Sequence, residues 1–495
     1  MQTVTNASTV TSTSEKTAEK AQPRPERFPA HVWRRGFENL AREHAFEPLR
    51  IEGTLPPELR GTFYRNGPGQ FDVAGERYQH WFDGDGCVVG VRLEAGKAQG
   101  AVKLVATKWR ENEKKAGKRR YGGYDTPLVS VWREVLRGDN KNPANTSVMI
   151  HQDRLYALCE GGKPFEISAE DLATFGERDL DGTVVRTFTA HPHRVPARSA
   201  AYGYGLNVAR KTTVDCFELP DSGACRRVAQ FTVEGARMNH DFAATPKHLV
   251  FFFAPFYFSL WKMITGHGLV SGGKYRAERG TEIVIVAIDR PNEIVRFTAP
   301  SFYMEHTVNA FERTRADGGT EIVVDYVHYE TNAGFEDFVK GLLPGAPKSP
   351  LASTLRRAVI DPVKRTFKSE PLLDECVELP RVAPRVEGHP HRYAYAVAFD
   401  ARVPPQAILK HDLQTDRVTR YAPGPEQYPG EGVFVPRAGA EAEDDGFILT
   451  LVLDAKRSAS RLDVLDARRI EDGPLARCHF EQALPFGFHG VWQTA

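Results

Sequence analysis

The chain carries almost no net charge, few cysteines and no apolar run long enough to cross a bilayer, and each shortage excludes something. Its 65 basic and 64 acidic residues leave a formal charge of +1. No long-range field draws in a polyanion, so nucleic-acid binding is set aside. The six cysteines, Cys87, Cys159, Cys216, Cys225, Cys376 and Cys478, include no C-x-x-C pair. That argues against a disulfide framework and a zinc knuckle, and the expected setting is a reducing cytoplasm. Residues 1–21 are rich in Ser and Thr, contain Glu15 and Glu19 and lack an apolar core, unlike a secretory signal. Residues 1–28 are expected to form a disordered tail ahead of a single domain over 29–495. The most apolar stretch, Leu249 to Trp261, is broken by Pro255 and followed by Lys262, whereas a membrane helix needs ~20 apolar residues. It reads as a buried strand running into a loop or short helix. The alternative reading is an apolar mouth that touches a membrane peripherally near residues 249–268. No strand leads into a G-x-G-x-x-G, since YGYG at Tyr202 lacks the third glycine and the helix, so no dinucleotide cofactor is expected.

What is abundant is short strand signals. Apolar runs joined by polar turns recur at Val214 (VDCFELPDSGACRRVAQF), Ile285 (IVAIDRPNEIVRF), Ile408 (ILKHDLQTDRVTRY) and Leu462 (LDVLDARRIEDGPLARC). Each reads as a β-hairpin. Many antiparallel strands over more than 400 residues, with few amphipathic helical patterns, predict a closed all-β design, and a propeller scales to this length. Helix-compatible segments, Phe335 to Arg365 and Ala169 to Phe175, would be insertions between strands or over one face. The inner strands of a propeller converge on its axis, so groups remote in sequence can meet there.

Sixteen histidines are present, and most need no special reading. His31, His44, His248, His267 and His411 sit in polar or loop-like contexts. His191 (FTAHPHRVP), His240 (RMNHDFAAT), His306 (YMEHTVNAFE) and His489 (PFGFHGVW) lie in or beside β-compatible stretches. Such a spread suits one ligand per strand around an axis, and imidazole suits Fe, Cu, Zn or Ni. His193, His389 and His391 compete with this set. So does His151-Gln152-Asp153, which could open a two-histidine-one-carboxylate triad but also reads as a strand–turn–strand. Asp83-Gly84-Asp85-Gly86 lacks the further ligands of a calcium loop and reads as a tight hairpin turn, and Arg65 to Gly69 (RNGPG) as a turn.

Taken together, LPPELRGTFYRNGPGQF, HWFDGDGCV, ALCEGGKPFEI, TAHPHRVP, MNHDFAATPKHLVFF, EHTVNAFE, ELPRVAPRVEGHPHRYAY, GEGVFVPR, EDDGFILTLVLDA and PFGFHGVW resemble, in order, the carotenoid cleavage oxygenases. That family includes apocarotenoid and lignostilbene dioxygenases and the retinoid isomerase of the eye. The resemblance implies a seven-bladed β-propeller with a loop and helical cap over the iron-bearing face. It implies one Fe(2+) per chain held by His191, His240, His306 and His489, backed by Glu160, Glu378 and Glu431. Four neutral imidazoles leave the ion's charge uncompensated, and carboxylates on their outer N–H groups would offset it and fix the tautomers. By that count one histidine lacks a carboxylate.

The implied function is O2-dependent cleavage of a C=C double bond in an apolar carotenoid or apocarotenoid, giving carbonyl products. No flavin, nicotinamide or 2-oxo acid is needed, and no side chain serves as acid, base or nucleophile. The alternatives are a stilbene-cleaving dioxygenase, a polyene or retinoid isomerase, and a lipid-binding propeller. Three tunnel residues are expected: Cys159, Glu305 and Phe488. The lignostilbene branch is expected to carry a lysine where this chain has Cys159, which favours a polyene. Many relatives have Phe where this chain has Glu305, and an acid beside the metal would be costly if buried unpaired. Gly432 stands where proline is usual.

Overall fold

The computed structural model describes residues 32–347, 349–399 and 404–495. The tail over 1–28 and His31 lie outside the described residues. Seven antiparallel sheets of four to six strands form a seven-bladed β-propeller. Alternating strands such as Arg226–Glu234 (RRVAQFTVE) bury every second residue toward the end of the run, the signature of one wet and one dry face. Gly446–Asp454 (GFILTLVLD) is apolar almost throughout and buried throughout, because both its faces are covered.

The core lies between blades. Val250, Phe252, Ile283 and Ile285 of one sheet pack against Ile322, Val324, Tyr326 and Ile360 of the next. Each such side chain contributes about 1.5–3 kcal/mol by leaving water. The ring closes where the two ends of the chain meet. The C-terminal strand Gly490–Thr494 pairs with Gly61–Gln70, and Arg50–Gly53 pairs with Pro474–His479 in the neighbouring blade.

Helices cover one face. Lys108–Ala116 starts at Thr107, whose hydroxyl accepts from the Arg110 N–H, and ends at Gly117 with φ 60°. Asn332–Leu342 buries Phe335, Phe338, Val339 and Leu342 against Phe71, Phe486 and Tyr329.

The hairpins at 214, 285, 408 and 462 form as the sequence predicts. So does the turn between Ser147–His151 and Arg154–Leu158, where Gln152 and Asp153 have φ 48° and 60°. Leu249–Phe253 is a buried strand, and no described helix is long and apolar enough to cross a membrane.

Four local expectations fail. Arg65–Gly69 is strand, within Gly61–Gln70, and its glycines serve close backbone approach: a Cβ on Gly67 would lie 2.2 Å from Gly487 Cα. The helical segment after Phe335 stops at Leu342, since Pro344 and left-handed Gly345 follow, and Thr354–Asp361 is a strand. Ala169 to Phe175 is a turn running into strand Thr174–Glu177. The DGDG segment also differs from a hairpin turn. Asp83 ends a 3-10 turn, and its buried carboxylate accepts the Thr126 N–H at 2.9 Å and the Thr126 hydroxyl at 2.6 Å, pinning the loop over the cavity.

Candidate metal centre

Each blade places one residue of interest near the axis. His489 immediately precedes the strand Gly490–Thr494. Glu160 follows Arg154–Leu158. His191 precedes His193–Val195, and His240 precedes Ala243–Ala244. His306 and Glu378 lie within Tyr303–Thr314 and Val377–Arg381. Glu431 precedes Val433–Pro436. Closed-ring topology thus gathers residues separated by up to 329 positions, Glu160 to His489.

One ring nitrogen from each of His191, His240, His306 and His489 falls within 4.8 Å of all the others. His240 Nε2 is 2.9 Å from His191 Nε2 and 3.3 Å from His306 Nε2. An imidazole nitrogen sits about 2.1 Å from a first-row divalent ion, so adjacent donors of one centre lie about 3 Å apart. The four rings therefore fit such an ion, and an all-imidazole donor set suits Fe, Cu, Zn or Ni.

The outer nitrogens are held. His240 Nδ1 meets Glu160 at 2.5 Å, His306 Nδ1 meets Glu378 at 2.5 Å, and His489 Nδ1 meets Glu431 at 2.9 Å. Among the described residues no carboxylate pairs with His191. Glu378 also accepts the Tyr329 hydroxyl at 2.6 Å and the Leu379 N–H at 2.8 Å. Glu431 accepts Arg381 Nε at 2.9 Å and the Gly490 N–H at 2.7 Å, the latter from the residue after His489. Gly432 does not disturb this placement. Tyr329 gave no signal in the sequence, because its partner comes from another blade, and Arg381 lies within the quoted ELPRVAPR stretch without anything there to single it out.

Without a metal the rings differ in proton affinity. Burial lowers His191 well below the usual imidazole range, and the other three histidines push the same way. Burial also dominates at His489, lowered to about 4 despite Glu431. At His240 burial is outweighed by Glu160 and Glu305, which hold it up at about 10. Metal ligation needs neutral rings, so binding would displace a proton from His240.

Above the cluster a cavity of about 1050 Å3 is lined by His240, His306 and His489. His191 lines a smaller cavity, together with His306, His489, Asp241 and Arg381. All three expected tunnel residues, Cys159, Glu305 and Phe488, line the large cavity. Phe488 packs 4.6 Å from Trp81 and 5.2 Å from Phe82, centroid to centroid. Burial, reinforced by Glu160, pushes the Cys159 thiol up to about 12, so it is neutral. Burial raises Glu305 to about 7, with His240 and Tyr303 opposing.

Of the competing groups, His193 pairs with Asp241 at 2.6 Å, and His391 lies 3.3 Å from Asp325. His151 ends a hairpin strand and neighbours Cys225 at 3.5 Å, while Asp153 sits in the turn that follows. They join no cluster that could hold a metal among the described residues. His248 pairs with Glu312 and His411 with Asp416.

Residues 37–494 match the family model described as retinal pigment epithelial membrane protein. The chain is 31% identical over 502 residues to apocarotenoid-15,15'-oxygenase of Synechocystis sp., covering 95% of this chain and 98% of that one. It is 31% identical over 475 residues to lignostilbene-alpha,beta-dioxygenase isozyme III of Sphingomonas paucimobilis, covering 90% and 94%. Cobalt-substituted Synechocystis ACO superposes with a TM-score of 0.84 at 30% identity, covering 94% of this chain and 98% of that one. With the propeller, its closure and the four converging histidines described, the chain belongs to the retinal pigment epithelial membrane protein family, that of the carotenoid cleavage oxygenases.

Proposed function

We propose that this protein is an iron(II)- and O2-dependent dioxygenase that cleaves one C=C double bond of a carotenoid or apocarotenoid into two carbonyl fragments. The observation carrying this reading is the convergence of four imidazole nitrogens at the floor of a large, aromatic-walled cavity. His191, His240, His306 and His489 would hold the ion, with Glu160, Glu378 and Glu431 fixing three of the rings. Iron(II) in such a site supplies the redox chemistry that joins O2 to an alkene without an organic cofactor.

The chain's own work is placement. Trp81, Phe82, Tyr303, Phe335 and Phe488 give flat apolar walls suited to a polyene, and about 1050 Å3 lies at the upper end for small-molecule sites. Holding one bond of an extended substrate beside the histidines is what would set the cleavage position. The neutral Cys159 offers no cation to a phenolate, which separates this cavity from the one expected for a hydroxystilbene. Both named relatives are 31% identical to the chain over their matched residues, so an assay of an apocarotenal beside a 4-hydroxystilbene is the discriminating test. Faster turnover of the stilbene would overturn the polyene assignment.

Substrate entry from a lipid phase fits the cavity rim. Trp261 is 73% exposed, and Ile264, Val129 and Trp132 are also exposed. They lie on two segments joined by Leu269 N–H to Tyr124 O at 2.9 Å and Ser271 N–H to Asp125 at 2.8 Å. Their neighbours Met263, Leu128 and Leu269 line the cavity. Four exposed apolar side chains beside residues that line the cavity would make a peripheral contact rather than a span. Trp261→Ser should lower sedimentation with liposomes; unchanged sedimentation would refute the contact.

A further inference from the structure

Among the described residues, Glu305 is the one carboxylate that lines the cavity beside the histidines and holds none of their outer nitrogens. It precedes His306 in the strand Tyr303–Thr314, where regular alternation would turn one of the two away. A bulge prevents this. Met304 pairs with His328 and Thr307 with Tyr326, so three steps on this strand oppose two on its neighbour. Extra residues of this kind re-aim side chains at sites, and here both Glu305 and His306 line the large cavity.

The carboxylate is 3% exposed, and no Lys or Arg pairs with it among the described residues. Oε1 accepts the Tyr303 hydroxyl. Oε2 receives no hydrogen bond from the described residues and points toward His240 Nε2 at 3.7 Å. That nitrogen is the one facing His191 and His306, while His240 Nδ1 is already taken by Glu160. Glu336, held by Tyr124 at 2.9 Å, adds further negative charge nearby. A buried acid without a cation is expensive. Among the described residues no Lys or Arg offsets this carboxylate, and a divalent ion at the convergence of the four rings would.

We infer that Glu305 is a positioning residue of the metal centre: a carboxylate on its open, cavity-facing side that strengthens divalent-cation binding and repels anions from that side. The inference rests on the four-histidine reading above. Glu160, Glu378 and Glu431 act from behind the rings. Glu305 would act from the front, where an incoming ligand has to pass it, so its effect should appear in ligand binding as well as in cation binding.

The test uses cobalt(II) and azide with the full-length protein. Glu305→Gln keeps the shape and removes the charge, and Glu305→Asp keeps the charge. Glu305→Gln should bind cobalt(II) about tenfold to a hundredfold more weakly, the range typical of outer carboxylates at metal sites. Its cobalt form should bind azide more tightly by the shift of the visible bands, while Glu305→Asp stays nearer the wild type in both. If Glu305→Gln does not fold, Glu305→Met replaces it, since an apolar side chain of about the same length removes the charge and leaves only the Tyr303 hydroxyl without its acceptor. Equal cobalt and azide affinities in wild type and the uncharged variant would overturn the role of Glu305. Equal losses in the Gln and Asp variants would do the same, because shape rather than charge would then carry the effect. Wild-type protein that binds no cobalt would instead overturn the four-histidine reading itself.

Discussion

Removing the charge behind His306 is the sharpest perturbation of the proposed centre. Glu378 is buried and receives three donors: His306 Nδ1 at 2.5 Å, the Tyr329 hydroxyl at 2.6 Å and the Leu379 N–H at 2.8 Å. In Glu378→Gln one amide oxygen can still accept, but the charge that strengthens His306 as a donor is gone. Losing an outer partner of a metal-bound histidine costs about 10- to 100-fold in affinity, roughly 1.4–2.7 kcal/mol. Glu378→Ala goes further, stranding all three donors. Breaking a buried pair on one side costs about 3–5 kcal/mol of stability, so this variant should also denature at lower denaturant. The assay is competitive titration of metal-free protein with cobalt(II), beside a urea melt. Glu378→Gln with wild-type metal affinity would refute the reasoning that these carboxylates hold the rings for a metal.

Other expectations follow from parts of the fold away from that carboxylate. Phe488→Ala removes the ring between Trp81 and Phe82 and should raise KM or scatter the cleavage position at unchanged metal content; an unaltered product profile and KM would contradict its place in the substrate wall. Asp325→Ala strands Arg357, bound bidentately at 2.8 and 2.7 Å, and His391 at 3.3 Å. It should destabilise by about 2–4 kcal/mol, near the lower end for a buried pair, without changing metal affinity, as read from urea melts and cobalt titration. Deleting Gly490–Thr494 removes the strand that closes the ring on Gly61–Arg65 and the backbone that places His489. Both the melting temperature and the metal content should fall, and retention of either would contradict closure by this strand.

The architecture was legible because hairpins are local: a turn between two alternating runs pairs them whatever the rest of the chain does. Exceptions arose where a residue answers to something distant. Gly67 reads as a turn residue, yet its missing Cβ serves Gly487, which is 420 positions away. Asp83 reads as a hairpin turn residue, yet it anchors the loop at Tyr124–Thr126. The histidines could be nominated by residue type but not gathered by spacing, since ring closure rather than sequence brings His489 to His191. Only the ordered family motifs selected four among sixteen. Glu305 was legible as a departure, but its direction was not, because the bulge that aims it depends on register with the neighbouring strand. Arg381, which ties Glu431 to the closing strand through Gly490 O at 3.1 Å, carries no motif of its own.

The central claim is that four histidines hold one iron that cleaves a polyene with O2. The most direct measurement pairs metal analysis with mass spectrometry of products from a single long apocarotenal, for wild type and His306→Ala. The account predicts a single iron per wild-type chain, as one four-histidine cluster implies, and two carbonyl fragments under air but none under nitrogen. It predicts neither iron nor fragments for the variant. Iron-loaded protein that leaves polyenes intact under air, or a variant that retains its iron, would contradict it.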